Sequence, residues 1–342
     1  MLFPENLKTF IRSKFKPLVL AVALFGFTVW FLASLAPAVS RSGAGGNKML
    51  FAVVSGEGFK DISNNLEKNG LIRSSLAMKL YLLASGGAFH LQPGAYALSP
   101  ALRATEIARA IQKGERQEVK VVIPEGSSLY EIDGILSKNF VLKPGDIIGW
   151  AKAQSFPAGG GEPVESIEGR LFPDTYNFFL NSAPGDVAGK MFANFDVKAR
   201  PLLEKDKNNL ERNLILASIL EKEVPDFKDR QIVAGILLKR LSVGMPLQVD
   251  ATICYIKREA GSNSCYPLNP LDFKLASQYN TYLNKGLPPG PIGNPGIQAI
   301  KAVLAPISSS FWFYLSDPAT KKTIFSETLD KHAGNRVQYI DR

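Results

Sequence analysis

The sequence predicts an α+β chain in three parts: an N-terminal transmembrane helix, a small α/β module, and a larger mixed α+β domain. Three observations carry that prediction. An uncharged apolar run of about membrane length lies near the N-terminus. A strand–turn–helix pattern occurs twice, about seventy residues apart. A long apolar helical run then ends in Glu221-Lys222-Glu223, ahead of a second amphipathic helix.

The chain has 342 residues, of which 46% are hydrophobic and 21% charged. That balance is globular rather than disordered, and the length allows two or three domains. A formal net charge of +9 suits membrane surfaces and anionic wall polymers as well as nucleic acid. No compact Lys/Arg block with interleaved aromatics is present, so nucleic acid is not an expected partner. The two histidines, His90 and His332, and two cysteines, Cys254 and Cys265, are too few for most metal sites. Neither metal nor cofactor is expected. A Ser–His–Asp hydrolase would have to rely on one of two isolated histidines.

Residues 17–39 read PLVLAVALFGFTVWFLASLAPAV, without a charge, and follow Lys8, Arg12, Lys14 and Lys16. Residues 1–16 are therefore expected inside, residues 17–39 across the membrane, and the rest outside. Ala36-Pro37-Ala38 can pass for a signal-peptide cleavage site, but the apolar run exceeds a usual signal core, which favours a retained anchor. The basic flank argues against a buried core helix. Residues 40–48 are rich in Gly and Ser and read as a flexible linker. An outside location permits a disulfide, yet spacing alone does not choose between a Cys254–Cys265 bridge and two free thiols.

Residues 49–54 (MLFAVV) read as a strand, Gly56-Glu57-Gly58 as a turn, and Ile62 and Leu66 as one face of a helix. The second copy places a strand at 119–123, a turn at Pro124-Glu125-Gly126, and Ile132 and Leu136 on a helix. Lys68-Asn69 matches Lys138-Asn139 at the same offset. Between the copies lie a helical stretch at 76–83, the segment 91–98, and a helix over 104–114 that ends at Gly114. The module is assigned to residues 49–116 and the larger domain to 117–342. Units of this kind resemble the LysM-like modules that bind wall glycan; a plain α+β spacer fits equally well.

Residues 214–223 (LILASILEKE) form an almost wholly apolar helical run that surfaces at its C-terminal end. Val224 precedes Pro225, so the helix should stop near Glu223. Glu221 and Glu223 stand about 200° apart around the helix and cannot share a face. Glu221 lies one turn beyond Ala217 and Ser218, whose small side chains leave room for a ligand. The negative end of the helix dipole and partial burial would both raise its pKa, as a general acid requires. Lys222 would oppose this if it turned toward the site. On spacing alone, a solvated end-of-helix charge is the stronger reading.

A second helix is expected over 226–241, with Gly244 as its stop. Residues 247–253 (LQVDATI) alternate, with Leu247, Val249, Ala251 and Ile253 on one side and Gln248, Asp250 and Thr252 on the other. This predicts a strand, lining either a sugar cleft or plain solvent. Residues 168–178 (EGRLFPDTYNF), which include Tyr176, and residues 277–296 (SQYNTYLNKGLPPGPIGNPG) read as loops, the latter stiff and turn-rich. Tyr279 and Tyr282 suit stacking on sugar rings and Asn280 suits bonding to hydroxyls, although each alone is ordinary loop chemistry.

In order, LASILEKE, GMPLQVDATICY, SQYNTYLNKGLPPGPIGNPG and FSETLDKH resemble the landmarks of the MltG (YceG-like) family of endolytic murein transglycosylases. EGRLFPDTY fits the same pattern upstream, so the resemblance covers nearly the whole chain. It implies an inner-membrane, single-pass lyase with an extracytoplasmic body. Such an enzyme cuts the β-1,4 bond between MurNAc and GlcNAc within peptidoglycan strands and leaves 1,6-anhydro-MurNAc ends, in cell-wall assembly and chain termination. It further implies Glu221 as sole acid and base, with Gln248, Asp250, Tyr176, Tyr279, Asn280 and Tyr282 binding substrate. Glycan strands, the cytoplasmic membrane and wall synthases (penicillin-binding proteins) are the implied partners. Residues 257–267, with Cys265, depart from the family pattern. The rival expectation is a non-catalytic wall-binding scaffold that recruits synthases.

Overall fold

The computed structural model describes residues 5–39, 47–54, 56–154, 156–157, 163–164, 167–262 and 264–340. The chain divides into two compact units, residues 1–118 with 179–181, and residues 119–178 with 182–342.

The first unit begins with α1 (Glu5–Ser34), a helix of 30 residues. Its large apolar side chains from Val19 to Leu32, Phe31 excepted, are exposed, Leu20 and Phe25 to more than 70%. Among the described residues no helix is long and apolar enough to cross a membrane. The expected span at 17–39 is therefore helical only to Ser34, and Leu35 beyond it packs on the core of the unit. Most of the expected linker, residues 40–46, lies outside the described residues.

Next come β1 (Met49–Val53), α2 (Phe59–Lys68), α3 (Ser75–Ala84), β2 (Gly94–Leu98) and α4 (Ala104–Lys113). The two strands pair antiparallel, Met49 opposite Leu98 and Val53 opposite Gly94. Phe51 and Val53 point inward, as the two-residue period of a strand requires. Ile62 and Leu66 of α2, Met78 and Leu82 of α3, and Ile107 and Ile111 of α4 complete the core. Gly114, at φ 68°, closes α4 in the left-handed conformation that glycine adopts without strain.

The second unit contains all but the first residue of β3 (Glu118–Val122), α5 (Leu129–Lys138), α6 (Asp146–Lys152), β4 (Phe156–Pro157), β5 (Pro163–Val164), all but the last residue of β6 (Thr175–Phe179), α7 (Pro184–Lys198) and α8 (Arg200–Leu203). Then follow α9 (Leu210–Glu223), α10 (Phe227–Ser242), α11 (Asp250–Glu259), α12 (Ile297–Leu304), β7 (Phe313–Ser316), β8 (Thr323–Ser326) and α13 (Leu329–Tyr339). The sheets are two-stranded pairs, β3 with β6, β4 with β5 and β7 with β8. One core gathers around α5, α6, β6 and α7; the other surrounds α9 and includes α10, α11 and α12.

The internal repeat survives at the level of hydrogen bonds. Asn69 and Asn139 end α2 and α5, and each side-chain amide donates to the carbonyl four residues back, at 2.8 Å in both copies. Gly70 and Phe140 follow in the left-handed region, at φ 70° and 57°. The chain then folds back with Leu71 N–H on Leu66 O at 2.9 Å and Val141 N–H on Leu136 O at 3.0 Å. The same helix-ending motif thus serves both copies.

Residues 247–253 do not form the expected strand. Gln248 has φ 52°, a left-handed conformation that no strand passes through, and α11 starts at Asp250. Leu247, Val249, Ala251 and Ile253 are buried as the alternation predicts, but so is Thr252. Its hydroxyl donates to Val249 O at 2.7 Å and lies 3.0 Å from the Thr281 hydroxyl. A short extended piece followed by the first turn of a buried helix imitates a period of two.

In the second unit the segment 305–307 crosses α10. Ile307 N–H donates to Gln231 O at 2.9 Å, and the Gln231 amide donates to Ala305 O at 2.7 Å. A Cβ on Gly235 would lie 2.1 Å from the Ile307 carbonyl oxygen. Gly235→Ala is expected to cost about 1–3 kcal/mol through overpacking against backbone that cannot rotate away. Urea denaturation measures this; an unchanged midpoint would mean that 305–307 is free to move.

Candidate active site

The site is built at the C-terminal end of α9. Leu214, Leu216, Ala217, Ile219 and Leu220 are fully buried and anchor the helix. It stops after Glu223 because Val224 is extended, at φ −140° and ψ 123°, ahead of Pro225. Asp226 then caps α10 by accepting from Asp229 N–H at 3.0 Å. This tight break turns Arg230, in the first turn of α10, back onto α9.

The two glutamates occupy separate environments, as the helix geometry predicts. Arg230 Nη2 donates to Glu221 Oε1 at 2.6 Å, and the Gly296 N–H, at the start of α12, donates to Oε2 at 2.8 Å. The Glu221 and Arg230 side chains are 4% and 8% exposed. Both oxygens of Glu221, the proton donor expected from the sequence, are thus engaged by protein donors. Its neighbour Glu125 is pushed up by burial and by the Glu221 charge.

Glu223 faces the other way. Its Oε1 accepts from Ala251 N–H at 3.3 Å, and the Tyr314 hydroxyl of β7 also donates to it. Burial, reinforced by the Asp250 charge, pushes the Glu223 carboxyl up to about 7. Asp250 stands at the first position of α11, where the helix N-terminus favours a carboxylate, and accepts a hydrogen bond from the Tyr282 hydroxyl. Burial raises the Tyr282 and Tyr314 hydroxyls, so both remain donors at neutral pH. A carboxyl that titrates near 7 beside a second carboxylate is equipped to give a proton and take one back.

Next to this group, Ala251, Lys222, Glu131, Ser128, Arg258 and Tyr266 line a cleft of 330 Å³. Lys222 Nζ lies 3.0 Å and Arg258 Nε 3.7 Å from Glu131. Lys222 therefore turns to Glu131 rather than to its neighbours on α9. The two cysteines form the bridge that spacing left open: Cys254 of α11 is bonded to Cys265, with Cα atoms 5.0 Å apart, and both line the cleft.

Of the expected substrate residues, Asp250 and Tyr282 are brought to Glu223, and Gln248 is exposed two residues from Asp250. Tyr279 is half-buried, its ring 4.8 Å from that of Tyr255, which lines the cleft. Asn280 is fully buried. It donates to Phe273 O at 3.0 Å and Leu275 O at 2.9 Å, and accepts from Tyr282 N–H at 3.0 Å. It shapes the loop that carries Tyr282, and its amide has no surface left for a sugar. Tyr176 is not brought to the cleft either. It lies in the α5–α7 core, with its hydroxyl donating to Phe172 O at 2.6 Å, because the inward face of β6 needs a large aromatic there.

Sequence reasoning set Glu223 aside in favour of Glu221 and assigned no role to Tyr314, Glu168 or Asn294. Glu168 is 1% exposed and accepts from Leu129 N–H at 2.9 Å and from the Asn294 amide at 2.9 Å. Asn294 also donates to Ser127 O at 2.8 Å and accepts from Leu171 N–H at 2.7 Å. Burial pushes the Glu168 carboxyl up to about 7. This pair knits together three segments, 124–129, 168–171 and 292–296, behind the end of α9. The available signal was the polar residue types embedded in the two motifs EGRLFPDTY and GNPG.

Residues 51–338 match the YceG-like family. The chain belongs to that family. It is 27% identical to a protein of Streptococcus pneumoniae (strain D39) named endolytic murein transglycosylase, over 98% of this chain and 66% of that protein. The chain thus spans just under two thirds of the length of that pneumococcal relative. A protein of the same name from Bacillus subtilis (strain 168) is 28% identical over 84% of each chain. The crystal structure of a yceG-like protein from Listeria monocytogenes superposes with a TM-score of 0.53 at 30% identity, covering 85% of this chain and 99% of that one. The YceG-like pattern and the mixed α+β architecture read from the sequence are accordingly those of the family.

Proposed function

We propose that this YceG-like chain is a membrane-anchored endolytic lytic transglycosylase of peptidoglycan, with Glu223 rather than Glu221 as its acid and base. The observation that carries the reading is the placement of Glu223 beside Asp250 and a 330 Å³ cleft, where burial pushes its carboxyl up to about 7. The relatives' name, endolytic murein transglycosylase, supplies the substrate class.

In the proposed reaction protonated Glu223 donates to the glycosidic oxygen between MurNAc and GlcNAc as that bond breaks. The resulting carboxylate takes the proton from the C6 hydroxyl, whose oxygen closes the 1,6-anhydro ring. Glu223 ends protonated, ready for the next cut. One carboxyl suffices because the sugar's own acetamido group shields the cationic centre, as in substrate-assisted glycosidases. Asp250 supplies charge that keeps the proton on Glu223, and Gln248, Tyr279 and Tyr282 border the route by which a strand enters.

The exposed apolar side chains of α1 and the basic residues before them support a single-pass anchor with the N-terminus inside. The disulfide supports an extracytoplasmic body. The order β1–α2–α3–β2 supports a LysM-like, glycan-binding role for residues 49–116. Wall synthases are the proposed protein partners. Purified chain incubated with glycan strands is expected to release products with 1,6-anhydro ends by mass spectrometry. Reducing ends would make the chain a hydrolase; binding without product would favour a scaffold.

A further inference from the structure

The cleft has a wall that neither the acid nor its carboxylate neighbour explains. Residues 264–266 run along it, and Tyr266 stands out from this segment with 62% of its surface exposed. Large aromatics placed at a cleft are held by packing in most cases. Here the hold is covalent and ionic. Cys265, one residue before Tyr266, is bonded to Cys254 of α11. Lys257, one turn further along α11, donates to Cys265 O at 3.0 Å and to Asp272 Oδ2 at 2.9 Å. The backbone beside Tyr266 is thereby tethered to the same helix that carries Asp250 at its start. The charges of Glu223 and Asp250 both act on the Tyr266 hydroxyl.

We propose that Tyr266 is a substrate-binding residue, a stacking platform for a sugar ring beside Glu223, and that the Cys254–Cys265 bridge is the positioning device that holds it over the cleft. An aromatic face suits the apolar C–H face of a pyranose, and a rigid two-torsion side chain loses little entropy on binding. The tether removes the remaining cost of ordering an exposed loop before the sugar arrives. This assignment rests on the proposed reaction for its substrate but not for its geometry.

The test is steady-state cleavage of defined glycan strands, together with binding of the same strands by fluorescence. Tyr266→Ala is expected to raise KM and the dissociation constant about tenfold, the scale of one lost aromatic contact, with kcat changed less than threefold. Tyr266→Phe and Tyr266→Trp are expected to restore wild-type KM, because the face and not the hydroxyl does the binding. The Cys254→Ser/Cys265→Ser variant is expected to reproduce the KM rise, and Tyr266→Ala added to it to cause no further loss. An unchanged KM in Tyr266→Ala, or no rescue by Trp, overturns the platform. A Cys254→Ser/Cys265→Ser variant that is folded and has normal KM overturns the tether. If wild-type chain binds strands through Tyr266 but releases no product, the platform stands and the proposed reaction falls.

Discussion

Glu223→Gln is expected to abolish glycan cleavage, a loss of about 10²–10⁴-fold from the general-acid contribution alone, and at the same time to make the protein more stable at alkaline pH. Both effects follow from one quantity. The Glu223 carboxyl moves from an ordinary 4.5 to about 7, so the fold favours its protonated form. That contribution is fully present below about 4.5 and is lost as pH rises through about 7, the value at which the folded protein releases the proton. The displacement corresponds to about 3 kcal/mol at most. A neutral glutamine keeps the shape and never has to ionise. At pH 8 the variant should therefore exceed wild type by about 1–3 kcal/mol, and at pH 4 the difference should vanish. Urea denaturation at the two pH values reads the change in stability, and mass spectrometry of digested strands reads the loss of cleavage. Wild-type cleavage should fall about tenfold for each pH step well above 7, as the protonated fraction falls. Full activity in Glu223→Gln would remove this residue from the chemistry.

The sequence made the position of the site legible more readily than its chemistry. The apolar run at 214–220, the Val224-Pro225 stop and the Asp226 cap are local signals, and α9 and α10 follow them. The repeat was legible for the same reason, since Lys68-Asn69 and Lys138-Asn139 end helices through bonds to their own last turn. The 200° separation of Glu221 and Glu223 was correct as geometry. Which face meets the cleft is set elsewhere: Arg230 and Gly296 take Glu221, and Asp250 and Tyr314 take Glu223. Those partners are non-local, with Gly296 75 residues away from Glu221, and no periodicity announces them. Asp250 was found for a mistaken reason, as a strand residue, and belongs to the site as the first residue of a helix. Tyr176 and Asn280 have side chains suited to sugars, yet buried partners use them up.

Removing one partner of the ion pair behind the site should show that Glu221 is structural. Arg230→Met leaves a carboxylate, 4% exposed, without its counter-charge. The expected cost is about 3–5 kcal/mol, the scale for a buried charge stripped of its partner. The Gly296 N–H still reaches Glu221, but a single backbone donor does not replace a guanidinium at 2.6 Å. Glu221→Gln in the Arg230→Met background removes the stranded charge and keeps the acceptor for Gly296. It should recover about 2 kcal/mol or more, a coupling that denaturation of the two single variants and the double variant isolates. The same set separates structure from chemistry. Glu221→Gln protein that is folded is expected to retain cleavage, whereas folded Glu223→Gln protein is expected to have none. If folded Glu221→Gln were the inactive one, the acid would sit in the Arg230 pocket after all, and the carboxyl beside Asp250 would serve only to shape the cleft.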